Sequence, residues 1–176
     1  VMQDILEKAA QIRLVIFDVD GVLTDGSLYL GDDGQEYKAF NSKDGLGMKM
    51  LRSSGAEIGI ITARTSQVVA TRISSLHILH VYQGREDKLP AFEELIEKLG
   101  LSDSQVAYVG DDVVDLPIMR RVGLAITVQD AHEMAIKHAH WQTGAPGGRG
   151  AAREVCELLM EAQGTLQAAL ARYLRQ

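Results

Sequence analysis

Asp18 and Asp20 close the run Leu14-Val-Ile-Phe-Asp-Val-Asp20, with Gly21 directly behind them. Four apolar residues carry the chain along a buried strand. It then stops on two carboxylates one residue apart, where stability alone favours apolar or turn residues. In an open parallel sheet, ligands bind beyond the carboxyl ends of the strands, so these acids stand where chemistry is done. Taken alone, the pair fits a receiver-like acidic pocket, a simple metal site or a plain strand-end turn. Three later segments have the same form. Glu57-Ile-Gly-Ile-Ile61 ends in Thr62-Ala63-Arg64, and residues 78–82 lead into Gly84-Arg85-Glu86-Asp87-Lys88. Residues 106–109 end in Gly110-Asp111-Asp112, with Asp115 one turn further on. Parallel strands bring all four ends to one edge and so gather carboxylates, a hydroxyl, a lysine and arginines around one pocket.

Clustered carboxylates repel unless a hard cation neutralises them, and an all-oxygen donor set suits Mg²⁺. A phosphate monoester needs cationic and hydrogen-bonding cover on its equatorial oxygens, with a nucleophile in line. Lys88 offers the charge and Thr62 the hydroxyl. A carboxylate can itself attack phosphorus to give an aspartyl-phosphate. A second carboxyl then protonates the leaving oxygen and afterwards activates water.

These residues need a scaffold, and the rest of the chain supplies one. Strands are expected near 13–18, 57–61, 78–82, 106–109 and 123–127. Helices are expected near 3–11, 45–54, 66–75, 88–99, 113–121, 131–138, 150–162 and 165–174. The alternation predicts an α/β fold, a doubly wound, parallel, Rossmann-like sheet with helices on both faces and the first strand central. Residues 27–40 interrupt it: two short runs flank Gly31-Asp32-Asp33-Gly34, a β-hairpin signal in which both acids are turn residues.

With 176 residues, the chain reads as one domain with a core of its own. No apolar run approaches membrane-spanning length, and the charged amphipathic start does not read as a signal peptide. Cys156 is the sole cysteine, placed on the apolar side of a helix, so a cytoplasmic location is expected. The net charge of −6 argues against a nucleic-acid partner. An anionic substrate therefore needs a local island of cations. His77, His80, His138 and His140 lack metal-site spacing and read as structural or surface residues.

The four motifs together resemble the haloacid dehalogenase superfamily, whose signature is Asp-x-Asp-Gly-Val/Thr-Leu-Thr, then Ser/Thr, then Lys, then Gly-Asp-Asp-x-x-Asp. The resemblance implies Asp18 as nucleophile and Asp20 as general acid/base, with Thr62 and Lys88 on the phosphoryl group. It implies Mg²⁺ held by Asp18, the Asp20 carbonyl and Asp111, with Asp112 and Asp115 acting through water or by orienting Lys88. Gly21 would line the substrate site.

Members of that superfamily commonly insert a cap domain. Here only 44 residues separate Asp18 from Thr62, and 26 separate Thr62 from Lys88. That leaves no room for a cap of ~50 residues or more. The hairpin, Lys38-Ala-Phe-Asn-x-x-Asp-Gly45, Tyr82-Gln-Gly-x-x-Asp-Lys88 and Gly147-Gly-Arg-Gly-Ala-x-Arg-Glu154 are similar to capless 3-deoxy-D-manno-octulosonate 8-phosphate phosphatases, whose product enters lipopolysaccharide. That narrower resemblance implies a homotetramer built through the hairpins. It also implies a Gly-rich lid, residues 144–150, closing over a neighbour's site, and a sugar-acid phosphate substrate. Arginine suits the carboxylate of such a substrate through bidentate hydrogen bonding, so Arg64, Arg85 and a neighbour's Arg149 are expected to complete the island of cations. Ala63 departs from the usual Gly before the arginine.

Other readings stand beside these. Thr62 also suits a helix N-cap, Lys88 a first-turn lysine, Arg64 and Arg85 solvated charges, and residues 144–150 a floppy loop. The same chemistry on an N-acylneuraminate 9-phosphate, or an idle oligomerisation module, are the alternative functions.

Overall fold

In the computed structural model, which describes residues 2–175, the chain begins α1 (Met2–Ala10), β1 (Leu14–Phe17), β2 (Tyr29–Leu30), β3 (Glu36–Tyr37) and α2 (Ser42–Ser53). It continues β4 (Glu57–Ile61), α3 (Gln67–Ser75), β5 (His80–Tyr82), α4 (Leu89–Leu99), β6 (Val106–Gly110) and α5 (Leu116–Met119). The last elements are β7 (Leu124–Thr127), α6 (Glu133–His138), β8 (Trp141–Gln142), α7 (Ala151–Ala162) and α8 (Leu166–Ala171).

Six strands form one parallel sheet in the order β5-β4-β1-β6-β7-β8. The chain winds outward from β1 in both directions, so β1 is the switch point, as the α/β alternation predicts. Register does the positioning: Phe17 lies beside Ile60 on one flank and Val109 on the other. The residues that follow β1, β4 and β6 therefore emerge together at one sheet edge.

Every residue of β1 is buried, because both faces are covered. Val15 and Phe17 point into a core shared with α1, α2, α3 and α7, through Ile5, Met48, Leu51, Val69, Ile73, Val155 and Leu159. Leu14 and Ile16 point to the other face, against Phe92 and Leu95 of α4 and Ile118 and Met119 of α5. Period-two alternation thus splits one apolar run between two layers.

The structure revises several sequence boundaries. β8 was not foreseen: two residues carry no periodicity, and only pairing of Ile126 with Trp141 and of Thr127 with Gln142 makes them a strand. The expected helix over 113–121 is a 3-10 turn, Val113–Asp115, followed by the four-residue α5. Pro117 in its first turn is compatible with a helix start. α2 begins earlier than expected, at Ser42, because the Asn41 side chain accepts from the backbone N–H groups of Lys43 and Asp44. β5 begins only at His80. Before it, His77 takes a left-handed φ of 58° and Leu79 is solvent-exposed. The hairpin forms with two-residue strands, Tyr29 opposite Tyr37. Among the described residues, no helix is long and apolar enough to cross a membrane.

Candidate active site

After β1 the chain turns sharply: the Val19 carbonyl accepts the N–H groups of Val22, Leu23 and Thr24. The buried Thr24 hydroxyl accepts from Gly21 N at 3.3 Å and Gly26 N at 3.1 Å and pins the loop. This turn holds Asp18 inside the sheet edge and leaves Asp20 half-buried above it. Oδ1 of Asp18 accepts from Val19 N at 2.7 Å and lies 3.1 Å from Lys88 Nζ.

Lys88 immediately precedes α4 and is 1 % exposed. A cation at a helix N-terminus meets an unfavourable dipole, so its surroundings must hold it. Its ammonium donates to Oδ1 of Asp115 at 2.7 Å and to the Tyr108 hydroxyl at 3.1 Å. Burial opposes the charge on Lys88, but Asp18 and Asp115 more than offset it and its pKa rises. Asp115, fully buried, accepts from Tyr108 and Lys88 on one oxygen and from the N–H groups of Asp111 and Asp112 on the other. It is saturated, and its task is to fix Lys88 and the turn that carries Asp111.

Asp111 differs. Among the described residues nothing donates to its carboxylate, and its pKa is pushed up to about 7 by burial and by repulsion from Asp115 and Asp112. Asp18 is likewise raised well above the usual range, by burial and then by Asp115, with Lys88 opposing. Carboxylate oxygens of Asp18, Asp111 and Asp115 lie within 4.8 Å of one another. Two under-compensated acids facing each other in an all-oxygen site fit a hard dication such as Mg²⁺. The Asp20 carbonyl, which accepts no backbone hydrogen bond among the described residues, is a further donor. Room for Asp111 depends on Gly21: at φ 87°, a Cβ there would lie 1.8 Å from Asp111 Oδ2.

The resulting cleft holds about 230 Å³ and is lined by Asp18, Asp20, Thr62, Ala63, Arg64, Lys88, Asp111 and Asp112, together with Gly26 and Val114. Thr62 is buried and its hydroxyl makes no hydrogen bond among the described residues; Ser66 is the N-cap of α3. The hydroxyl is therefore free for a ligand. The Asp112 carboxylate accepts from Val113 N at 2.7 Å and caps the 3-10 turn. Arg64 reaches Oε1 of Glu36 at 3.1 Å and Oδ2 of Asp20 at 3.8 Å.

Two arginines stand outside this lining. Arg85 stacks over the Tyr82 ring at 5.4 Å. Arg149 is 72 % exposed in its side chain, with Asp25 at 3.9 Å. The segment 144–150 is docked on the β1 loop of its own chain. Gly148 N donates to the Val22 carbonyl at 2.9 Å, Gly147 N donates to Asp130 at 3.0 Å, and a Cβ on Gly147 would strike the Gly21 carbonyl. Sequence reasoning missed Tyr108 and the pair Glu36–Lys38. Tyr108 had a visible signal, a polar-tipped ring inside an apolar strand, which needs a partner once buried.

Comparison with known proteins agrees with this geometry. Residues 59–154 match the family of haloacid dehalogenase-like hydrolases. The 3-deoxy-D-manno-octulosonate 8-phosphate phosphatase KdsC of Escherichia coli strain K12 is 50 % identical over 169 residues, 96 % of this chain and 90 % of that one. A crystal structure of a probable yrbi family phosphatase from Pseudomonas syringae pv. phaseolica superposes with a TM-score of 0.97 at 51 % identity, covering 99 % of each chain. The 3-deoxy-D-manno-octulosonate 8-phosphate phosphatase of Moraxella catarrhalis, crystallised with magnesium, phosphate and KDO, superposes with a TM-score of 0.96 at 42 % identity, covering 98 % of this chain and 99 % of that one.

Proposed function

The chain belongs to the haloacid dehalogenase-like hydrolases and, among them, to the family of the 3-deoxy-D-manno-octulosonate 8-phosphate phosphatases; from that membership we propose that it hydrolyses this eight-carbon sugar-acid phosphate to the free sugar acid and phosphate. The observation that carries the reading is the cleft itself. A buried lysine is clamped between Asp18 and Asp115, in one cleft with the free Thr62 hydroxyl and the under-compensated Asp111 carboxylate.

Mg²⁺, held by Asp18, the Asp20 carbonyl and Asp111, would offset the carboxylate charge and draw electron density from the phosphoryl oxygens. Lys88 and Thr62 cover the remaining equatorial oxygens. Asp18 attacks phosphorus with the carboxylate oxygen that Lys88 leaves free. The bond from phosphorus to the sugar oxygen breaks, and Asp20 gives that oxygen its proton. The aspartyl-phosphate is then attacked by a water whose proton returns to Asp20, releasing phosphate and restoring Asp18. Arg64, beside Asp20, would meet the carboxylate of the sugar acid.

A cleft of about 230 Å³ is below the ~300–1,000 Å³ usual for ligand pockets. It takes the phosphoryl end of the substrate, and the sugar projects beyond it. We read the missing wall as a neighbouring protomer. Leu28, Tyr29, Leu30 and Tyr37 expose apolar surface on the hairpin, and Arg149 projects from the 144–150 segment. This supports a homotetramer in which Arg149 and Arg85 complete substrate binding. We place the enzyme in the cytoplasm, in keeping with the buried free thiol of Cys156.

The test is Mg²⁺-dependent phosphate release from 3-deoxy-D-manno-octulosonate 8-phosphate beside N-acylneuraminate 9-phosphate, with Asp18→Asn as control. A large kcat/KM preference for the eight-carbon acid, abolished by Asp18→Asn, is expected. Preference for the nine-carbon acid would overturn the substrate, and turnover surviving Asp18→Asn would overturn the mechanism. No hydrolysis at all would leave an idle module.

A further inference from the structure

Among the described residues, Asp20 has one cation at hydrogen-bond distance, and it comes from the hairpin. The Lys38 side chain is inaccessible to solvent, with Nζ 2.6 Å from Oδ1 of Asp20 and 2.8 Å from Oε1 of Glu36. Glu36 also takes Arg64 at 3.1 Å, and Arg64 returns to Oδ2 of Asp20 at 3.8 Å. The four side chains close a ring behind Asp20. Two of them lie in or just after β3, and the third follows β4.

Asp18 is held by a backbone N–H and by Lys88, and Asp115 by four donors. Asp20 has no such frame. Its carboxylate is 23 % exposed and accepts from Lys38 alone within 3.5 Å. An acid that must protonate a leaving oxygen works only within hydrogen-bond reach, about 2.6–3.2 Å, in the right rotamer. Without Lys38, nothing at that distance keeps Asp20 from swinging to solvent.

We propose that Lys38 is a positioning residue for the acid–base carboxylate Asp20, so that the β2–β3 hairpin, through the Lys38–Glu36–Arg64 ring, sets proton delivery to the leaving oxygen. This rests on the phosphatase reading above. Lys38 touches no reacting atom; it fixes the group that does. The hairpin is then more than an assembly surface, since any displacement of β3 moves Lys38 and with it the acid.

Leaving-group chemistry isolates the effect. A sugar 8-phosphate expels an alkoxide that needs the proton, whereas 2,4-dinitrophenyl phosphate expels a stable phenolate that does not. For Lys38→Met, kcat on 3-deoxy-D-manno-octulosonate 8-phosphate should fall ~10–100-fold, part of the ~10²–10⁴ that a positioned acid supplies. The pre-steady-state burst of dinitrophenolate should keep wild-type amplitude and rate, since Asp18 still attacks. The slower steady state that follows should drop, because Asp20 must also activate water. Lys38→Arg, which keeps charge and reach, should recover most of the alkyl-ester turnover.

Equal losses on both esters, a lost burst included, would mark Lys38 as merely structural and overturn the proposal. So would an unchanged alkyl-ester kcat. Wild-type protein inactive on both esters would instead sink the phosphatase reading, so the two failures are distinct.

Discussion

Gly21→Ala tests the candidate metal site through backbone geometry and leaves its ligand residues untouched. At φ 87°, the new Cβ would lie 1.8 Å from Asp111 Oδ2 and 2.5 Å from its Cγ. Cβ contacts below 3.0 Å essentially do not occur, so the carboxylate must retreat by about 1.2 Å, the shortfall of 1.8 Å from 3.0 Å. Mg²⁺ demands near-ideal ligand distances of about 2.0–2.1 Å, and a retreat of that size takes Asp111 out of reach. Losing even a supporting group around a metal costs about 10–100-fold in affinity. A positive φ on alanine adds strain of about 1–2 kcal/mol, or roughly 2–8 °C in Tm for a chain of this size. Gly100→Ala is the control. Gly100 has φ 67° at the end of α4 with nothing within 4 Å of its would-be Cβ, so it bears strain without collision. Both variants should melt a few degrees low in EDTA. At Mg²⁺ 100-fold above the wild-type Kd, wild type and Gly100→Ala should gain about 2.7 kcal/mol, and Gly21→Ala only about 0.4–1.4 kcal/mol. Calorimetric titration reads the same loss directly. Mg²⁺ binding by Gly21→Ala as tight as by Gly100→Ala would refute Asp111 as a ligand.

Lys88→Met removes the cation shared by Asp18 and Asp115. Breaking such a buried pair costs ~3–5 kcal/mol, so metal-free protein should melt roughly 6–20 °C lower and lose turnover; a Tm within about 3 °C of wild type would show that the lysine is not needed to hold the acids. A second expectation concerns pH. The Asp111 pKa rises from 3.8 to about 7 on folding, so the folded state binds the proton more tightly. The stability this confers is present at low pH and is lost as pH rises from about 4 to about 7. Asp18 is shifted in the same direction. Metal-free melts should therefore decline across that window, Mg²⁺ affinity should rise across it, and a flat profile in EDTA would contradict the burial and repulsion assigned to these acids. Finally, Leu30→Asp places a charge on the 70 %-exposed Leu30 of the hairpin. Sedimentation should show smaller species and sugar-phosphate turnover should fall with them, whereas an unchanged mass would remove the hairpin from the interface.

The sequence by itself determined the frame and most of the side chains that meet in the cleft. A buried strand that ends on acids can only present them at the strand's carboxyl end, and in a parallel sheet all carboxyl ends lie at one edge. Asp18, Thr62, Lys88 and Asp111 were therefore legible together, because strand ends and crossovers are local or topological facts. The split of Leu14–Phe17 between two cores follows from its period of two in the same way.

Tertiary structure decided the rest, wherever a partner lay far along the chain or a side chain was free to choose its direction. The family resemblance offers Asp115 two tasks, acting through water or orienting Lys88, and only the fold decides between them: four donors saturate it and make it the clamp on Lys88. Lys38 lies 18 residues from Asp20 beyond a hairpin, and no periodicity announces their 2.6 Å contact. β8 exists only because β7 offers it an edge. Arg85 and Arg149 carry long, flexible stems that local pattern cannot aim; one stacks on Tyr82 and the other faces solvent. Local patterning brings the reacting groups to the right edge, and long-range packing decides which of them are held, which are free, and which hold the others.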